Sequence, residues 1–238
     1  MDDRLKKLLR IVVEDVIKTG EAVGSQRIVE TYDLDVSSAT IRNWFTELEE
    51  EGFLIQPHTS AGRLPTEQGY RIYLDELMDA YDLRRTEVLE MQHAATELER
   101  KADALRSMAR AMSEMTRDAV IYADRDMHAY AAGIAHLIAQ PEFLDRGQLL
   151  HLGETLDRMD ETLDKLASMR FDEPTPLIGS DCPFGEGCGS VFLTMHDGSL
   201  FGILGPMRMD YQRGIALLKA AKRLAGENDD RQTTNDDV

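Results

Sequence analysis

The chain has 238 residues, 42% hydrophobic and 30% charged, enough for one large core or two small ones. Its 44 acidic against 27 basic residues give a net charge of −17, which excludes a protein that coats nucleic acid unspecifically. No apolar run approaches the ~18–20 residues of a membrane span, and Met1-Asp2-Asp3-Arg4-Leu5-Lys6-Lys7 lacks the apolar core of a secretion signal, so the expected compartment is the cytoplasm.

In chain order, Leu5, Leu8, Leu9, Val12, Val13, Val16 and Ile17 recur at steps of three and four and predict an amphipathic helix over 4–18. Thr19-Gly20 ends it. Ser25 is placed to cap a short second helix to about Tyr32. Ser37 or Ser38 then caps a third, about 38–51, stopped by Gly52. Ile41, Phe45 and Leu48 form its inward face. Ser38, Thr40, Arg42, Asn43 and Thr46 are left on the other faces, and Glu47, Glu49, Glu50 and Glu51 crowd its end. Donors at the start and acids at the end suit a helix that enters a DNA groove by its N-terminus.

Phe53 to Gln56 reads as a strand, Pro57 to Gly62 as a turn, and Arg63-Leu64 as a returning strand. Pro65-Thr66 opens a fourth helix. Two short helices, a recognition-type helix and a hairpin make the winged variant of the helix-turn-helix. Ser25, Gln26, His58, Thr59, Ser60 and Arg63 suit phosphate contact, while Thr40, Arg42 and Asn43 suit base edges, with Ser38 at the same helix start. Residues 1–78 nevertheless hold 9 basic and 15 acidic side chains, so a DNA-reading face must gather its positive groups on one side.

From about residue 84, Met91, Ala95, Leu98, Ala102, Leu105, Ala109, Met112, Thr116 and Ala119 alternate steps of four and three. That 3.5-residue period predicts one long helix, its small seam packed inside a dimer or on its own domain. Further helices are expected over 126–139 and 145–169, and strands at Thr175–Ile178, Ser190–Met195 and Leu200–Gly205. Asp197-Gly198 marks a hairpin between the last two. A final helix is expected over 209–224, and the Asp/Asn/Thr-rich stretch from Gly226 as a disordered tail.

The chain resembles the heat-inducible repressor family HrcA. One block of the match is Gly24-Ser25, Ser37-Ser38-Ala39-Thr40-Ile41-Arg42-Asn43, Leu48 to Leu54, Gln56-Pro57-His58-Thr59-Ser60-Ala61-Gly62-Arg63-Leu64-Pro65-Thr66 and Gly69-Tyr70-Arg71. The other is Gln140-Pro141-Glu142-Phe143, Ile178-Gly179 and Gly205-Pro206-Met207-Arg208-Met209-Asp210-Tyr211. The resemblance implies a dimer that represses chaperone genes, binds an inverted-repeat operator in double-stranded DNA and releases it on heat stress, with a chaperonin as a further partner. It implies an α+β fold: an N-terminal winged helix-turn-helix, a long connecting helix and a reduced GAF-like dimerisation domain. The expected divisions are 1–80 for DNA binding, 81–125 for the long helix, 126–225 for the GAF-like domain and 226–238 for the tail. The chain is shorter than typical members, and the loss is assigned between the long helix and residue 126, taking an inserted domain and part of the sheet.

Other chemistry is weaker. Cys182 and Cys188 lie too far apart for a zinc pair and lack a second pair, so no metal is expected. Gly179, Gly185, Gly187 and Gly189 form no nucleotide fingerprint, and no cofactor is expected. His128, Tyr130 and His136 are read on a helix without a carboxylate partner, and Asp157, Asp160, Glu161 and Asp164 as a solvated acidic face. Arg208, Asp210 and Arg213 are read as an ion-pair cluster at a dimer interface. No catalytic arrangement emerges, and an enzyme is not expected. Two other readings stay open: a ligand-responsive winged-helix regulator of another regulon, and a non-DNA-binding interaction protein on the same fold. Arginine exceeds lysine 20 to 7, and this with the acidic excess fits either a high-salt interior or a merely acidic protein.

Overall fold

The computed structural model describes residues 1–32, 34–58, 62–96, 101–126, 128–144 and 146–235. They form two compact units, Met1–Asp79 and Ala80–Val238.

In the first unit, α1 (Asp3–Thr19) starts where the Asp2 carboxylate accepts the Leu5 amide at 3.0 Å and ends at left-handed Gly20. Its stripe of Leu8, Leu9, Val12, Val13 and Val16 is buried. The helices α2 (Ser25–Thr31) and α3 (Ser38–Glu50) add Ile28, Ile41, Phe45 and Leu48 to the same core. Asp15, buried on α1, takes the Arg27 guanidinium at 2.9 Å and the Tyr32 hydroxyl at 3.1 Å, which ties α1 to α2. Burial and the Asp15 carboxylate push the Tyr32 phenol up to about 12.

Gly52, at φ +81°, turns the chain out of α3 into β1 (Leu54–Ile55). β1 pairs antiparallel with β2 (Leu64–Pro65), and Val23 bridges Arg63 through two backbone hydrogen bonds of 2.9 Å. That bridge needs Gly62, where a Cβ would lie 2.3 Å from the Val23 carbonyl carbon. The helix α4 (Glu67–Ile72), capped by Thr66, continues through one π-turn, Tyr73–Leu77, and buries Tyr70 and Tyr73.

The second unit is a five-stranded antiparallel sheet covered on both faces. Its order is β4-β3-β7-β6-β5, from β3 (Ala119–Ala123), β4 (Ala129–Ala132), β5 (Thr175–Ile178), β6 (Cys188–Thr194) and β7 (Leu200–Pro206). Ile121, Phe192, Leu200 and Leu204 pack on one face with Leu137, Phe143, Leu152, Leu163 and Leu166. Those come from α7 (Ile134–Ile138), the 3-10 turn Pro141–Leu144, α8 (Arg146–Asp157) and α9 (Met159–Met169). The other face is covered by α6 (Lys101–Thr116) and α10 (Tyr211–Asn235), with Gly214 of α10 set against Ile203 and Val191.

Several expectations are corrected. The single long helix is two helices, α5 (Arg85–Thr96) and α6, packed side by side and antiparallel. Arg213 spans the start of one and the end of the other, donating to Glu87 Oε1 and to the Met115 carbonyl, each at 2.6 Å. Met91, Ala95, Leu105, Ala109 and Met112, the seam that suggested a coil between subunits, are buried within this unit, because small residues let the helices approach closely. Leu98 lies outside the described residues.

The helix expected over 126–139 is β4 followed by α7, so His128 precedes a strand and only His136 sits on a helix. The junction at which sheet was expected to be lost is itself a central strand. β3 is buried at all five positions, and a strand wrapped on both sides shows no alternation. The helix expected over 145–169 breaks at Arg158. Arg208 and Arg213 pair inside the protomer, Arg208 with Glu142 Oε1 at 2.5 Å and Gln140 Oε1 at 3.0 Å. The tail is not bare from Gly226, since α10 runs to Asn235. Its polar residues include no proline, and extending an existing helix avoids the nucleation cost.

Asp118, 4% exposed, sits where α6 enters β3, so close to Gly205 that a Cβ there would lie 2.5 Å from its Oδ1. Burial pushes its carboxyl up to about 7; Arg208 and Arg213 oppose the rise and Asp210 and Glu142 add to it.

Two outcomes follow. Gly62→Ala should lower the stability of the first unit by roughly 1–3 kcal/mol, read by urea unfolding on Trp44, the sole tryptophan; an unchanged midpoint would refute the close approach. Because the folded Asp118 holds its proton above its ordinary 3.8, the stability it confers is complete below that value and is lost as pH rises through about 7. Asp118→Asn should therefore gain on the wild type between pH 5 and pH 8, in urea midpoints followed by circular dichroism. Parallel midpoints across that range would contradict the assignment.

Candidate nucleic-acid interface

Ser37 caps α3, its hydroxyl accepting the Thr40 amide at 3.1 Å. Ser38 and Thr40 lie half-buried at this helix start, and the Thr40 hydroxyl is itself 3.0 Å from Ser37 Oγ. One turn on, Arg42 and Asn43 are exposed. The Arg42 Nε donates to Ser25 Oγ of α2 at 3.3 Å, so the guanidinium lies across the gap between the two helices.

That gap is a groove of about 430 Å3 lined by Ser25, Arg42, Phe45, Thr46, Gln56 and Arg63. It brings together three of the residues that the sequence singled out: Ser25, Arg42 and Arg63. Gln26 is exposed at the start of α2, its amide held by Glu30 at 2.9 Å, and His58 is exposed in the hairpin. Thr59 and Ser60 lie outside the described residues. Thr46 and Gln56 were not singled out as site residues. Position 56 carried a signal, since it is the polar end of the strand read over Phe53 to Gln56 and adjoins the turn from Pro57.

Arg63 is held differently from a free surface cation. Its side chain is 16% exposed, pairs with Glu49 at 2.9 Å and lies 5.8 Å over the Phe45 ring. It therefore clamps the hairpin against α3. Arg4 does the same for the next acid, meeting Glu47 at 2.7 Å while lying 5.6 Å over Trp44. Two of the four acids at the end of α3 are thereby paired with arginine, which lowers the repulsion that this end would present to a polyanion.

The remaining candidates are placed plainly. Cys182 and Cys188 are buried free thiols, and burial pushes both up, Cys188 to about 12, so neither offers a thiolate. Asp124, Asp126 and His128 cluster after β3, but Asp124 Oδ1 accepts the amides of Asp126 and His128 at 3.0 and 2.9 Å, as a turn requires. No described helix is long and apolar enough to cross a membrane.

Residues 70–215 match the family model described as HrcA protein C terminal domain. The chain is 42% identical over 118 residues to the heat-inducible transcription repressor HrcA of Acetivibrio thermocellus, covering 49% of this chain and 34% of that one. It is 36% identical over 182 residues to that of Rhodococcus jostii, covering 71% and 51%. With that of Clostridium perfringens it shares 54% over 79 residues, covering 33% and 23%. The matches thus span about a quarter to a half of the length of these relatives. Among solved structures, a crystal structure of a hypothetical protein superposes with a TM-score of 0.77 over 95% of this chain and 98% of that one at 18% identity, which shows a shared fold. With a family model spanning more than half of its residues, the chain belongs to the HrcA family.

Proposed function

We propose that this chain is a DNA-binding repressor of heat-shock genes that reads an inverted-repeat operator as a homodimer. The observation that carries the reading is the exposed Arg42 and Asn43 pair at the start of a capped α3, with Ser25 hydrogen-bonded to Arg42 across the groove. The helices α2 and α3 followed by the β1–β2 hairpin have the order of a winged helix-turn-helix. In that arrangement the N-terminal part of α3 enters the major groove, where a guanidinium fits a guanine edge and an amide fits adenine.

The supporting contacts divide by exposure. Ser25, Gln26 and His58 would meet phosphates and fix register, and Thr59 and Ser60, which lie outside the described residues, would share that role. Thr40 is engaged with the Ser37 cap through its amide and hydroxyl, and Ser38 is half-buried beside it. Arg63 acts by holding the hairpin to α3 through Glu49 and Phe45. The second unit, with its five-stranded antiparallel sheet, would pair two copies and so set the spacing of the two half-sites. The names of the relatives supply heat inducibility, and loss of the dimer or of a chaperonin contact on warming would release the operator.

Arg42→Ala should cost about 1–3 kcal/mol of specific binding and leave the Trp44 unfolding midpoint unchanged. Fluorescence anisotropy with inverted repeats taken from upstream of chaperone genes reads the first, at fixed and stated salt. Equal operator affinity of the two proteins would sink the assignment.

A further inference from the structure

The sheet of the second unit ends in two edge strands, β5 and β4. β5 carries Pro176, which has no amide donor for a further strand. β4 carries no such block, its residues being Ala129, Tyr130, Ala131 and Ala132. The hydrogen bond from the Asp124 amide to the His128 carbonyl sets the phase of the β3–β4 ladder, so Tyr130 and Ala132 bond to β3 while Ala129 and Ala131 do not. The amides and carbonyls of Ala129 and Ala131 therefore point away from the sheet. Among the described residues nothing pairs with them. Ala129 is exposed and Ala131 half-buried.

On the face that α6 covers, this open edge is positive. Arg106 and Arg110, one turn apart on α6, both lie over the Tyr130 ring, 5.8 and 5.9 Å from its centre. Arg106 meets Asp103 at 3.7 Å, and its Nε is buried without a partner. Arg110 is exposed and, among the described residues, has no hydrogen bond or ion pair. Beside it a cleft of about 460 Å3 lies between α6 and the end of β4, lined by Ser107, Arg110, Ala132 and Gly133. Other arginines of this chain are matched to acids at short range, Arg63 to Glu49, Arg208 to Glu142 and Arg213 to Glu87. In a chain of net charge −17, an arginine without a carboxylate beside an unpaired strand edge is the exception.

We infer that the β4 edge takes an acidic, extended peptide segment of a partner protein as a further strand. Ala129 and Ala131 present donors and acceptors in alternation, which a peptide main chain complements. A residue of the added strand opposite Tyr130 points to the α6 side, its Cβ about 4.5–5.5 Å from that of Tyr130. That puts a carboxylate there within reach of the guanidinia of Arg106 and Arg110. The segment therefore carries Asp or Glu at alternate positions, on the side that meets α6. A second copy of β4 would instead bring its own Arg106 and Arg110 against these two, like charge on like. A phosphate group would use the arginines and leave the open carbonyls without donors. The site does not depend on the operator reading, because all its residues lie in the second unit.

The test uses the full chain and dye-labelled octapeptides, acetylated and amidated, that alternate valine with glutamate, glutamine or lysine. Binding is read by fluorescence anisotropy at low, fixed salt. The glutamate peptide should bind about five- to tenfold more tightly than the glutamine peptide, and the lysine peptide should not bind. Methylating alternate main-chain amides of the glutamate peptide should abolish binding, since the methyl groups remove the strand donors. In NMR hydrogen exchange, the Ala129 and Ala131 amides should become protected when the glutamate peptide is added. Arg110→Ala should weaken the glutamate peptide about three- to fivefold, leave the glutamine peptide as it was and leave the circular dichroism spectrum unchanged. Peptides that bind alike or not at all, amides that stay unprotected, or displacement of the peptide by an equal concentration of inorganic phosphate would overturn the inference. So would an Arg110→Ala variant that binds the glutamate peptide as the wild type does. Operator affinity of the same preparation is measured in parallel, and a failure there bears on the repressor reading alone.

Discussion

The two backbone hydrogen bonds between Val23 and Arg63 are the contact on which the first unit is built. They draw the hairpin onto the segment that leads into α2, and this leaves Ser25 beside Arg42 and Gln56 across from both. The approach is close enough that residue 62 has to lack a side chain. Arg63 then secures the hairpin from the other side, with its charge on Glu49 and its plane over Phe45. One residue therefore contributes a backbone bridge, an ion pair and a ring contact. Its position in the motif reflects the building of the site more than contact with a ligand.

The same pairings address the acidity of the chain. A net charge of −17 and four glutamates at the end of α3 would oppose a polyanion approaching that helix. Arg4 and Arg63 each take one of those glutamates while lying over an aromatic ring, and the start of α3 keeps Arg42 and Asn43 exposed. The helix is thus polarised along its length, with donors at one end and four acids, two of them paired, at the other. Coulomb repulsion falls once each acid has a cation within about 3–4 Å. An arginine-rich composition is well suited to this, because guanidinium stacks on rings and forks onto carboxylates at once.

In the second unit the sheet is packed on both faces, and its polar contacts lie at the ends of the layers. Arg213 joins the start of α5, the end of α6 and the start of α10, and Arg208 joins the start of α10 to the turn before α8. Burial works to raise the Glu87 carboxyl, but the Arg84 amide and the Arg213 guanidinium prevail and hold it below its ordinary value. The residues that looked like an interface cluster in the sequence are therefore the ties between layers of one protomer. A charge pattern alone does not distinguish the two, since both place arginine opposite acid.

The sequence by itself determined α1 with its end at Gly20, the start of α3 at Ser37 or Ser38, and the Asp197-Gly198 hairpin, because each depends on neighbours within about one turn or one strand. It did not determine that Met91 to Met112 fold back as two helices, that Val120 to Ala123 form a central strand, or that Arg63 serves the hairpin. A 3.5-residue period records that one face is buried and is silent about what buries it. A strand covered on both sides has no alternation, and an arginine shows no sign of its partner. Only the tertiary structure decided those, because burial, pairing and cavity shape are set by residues brought together from far along the chain.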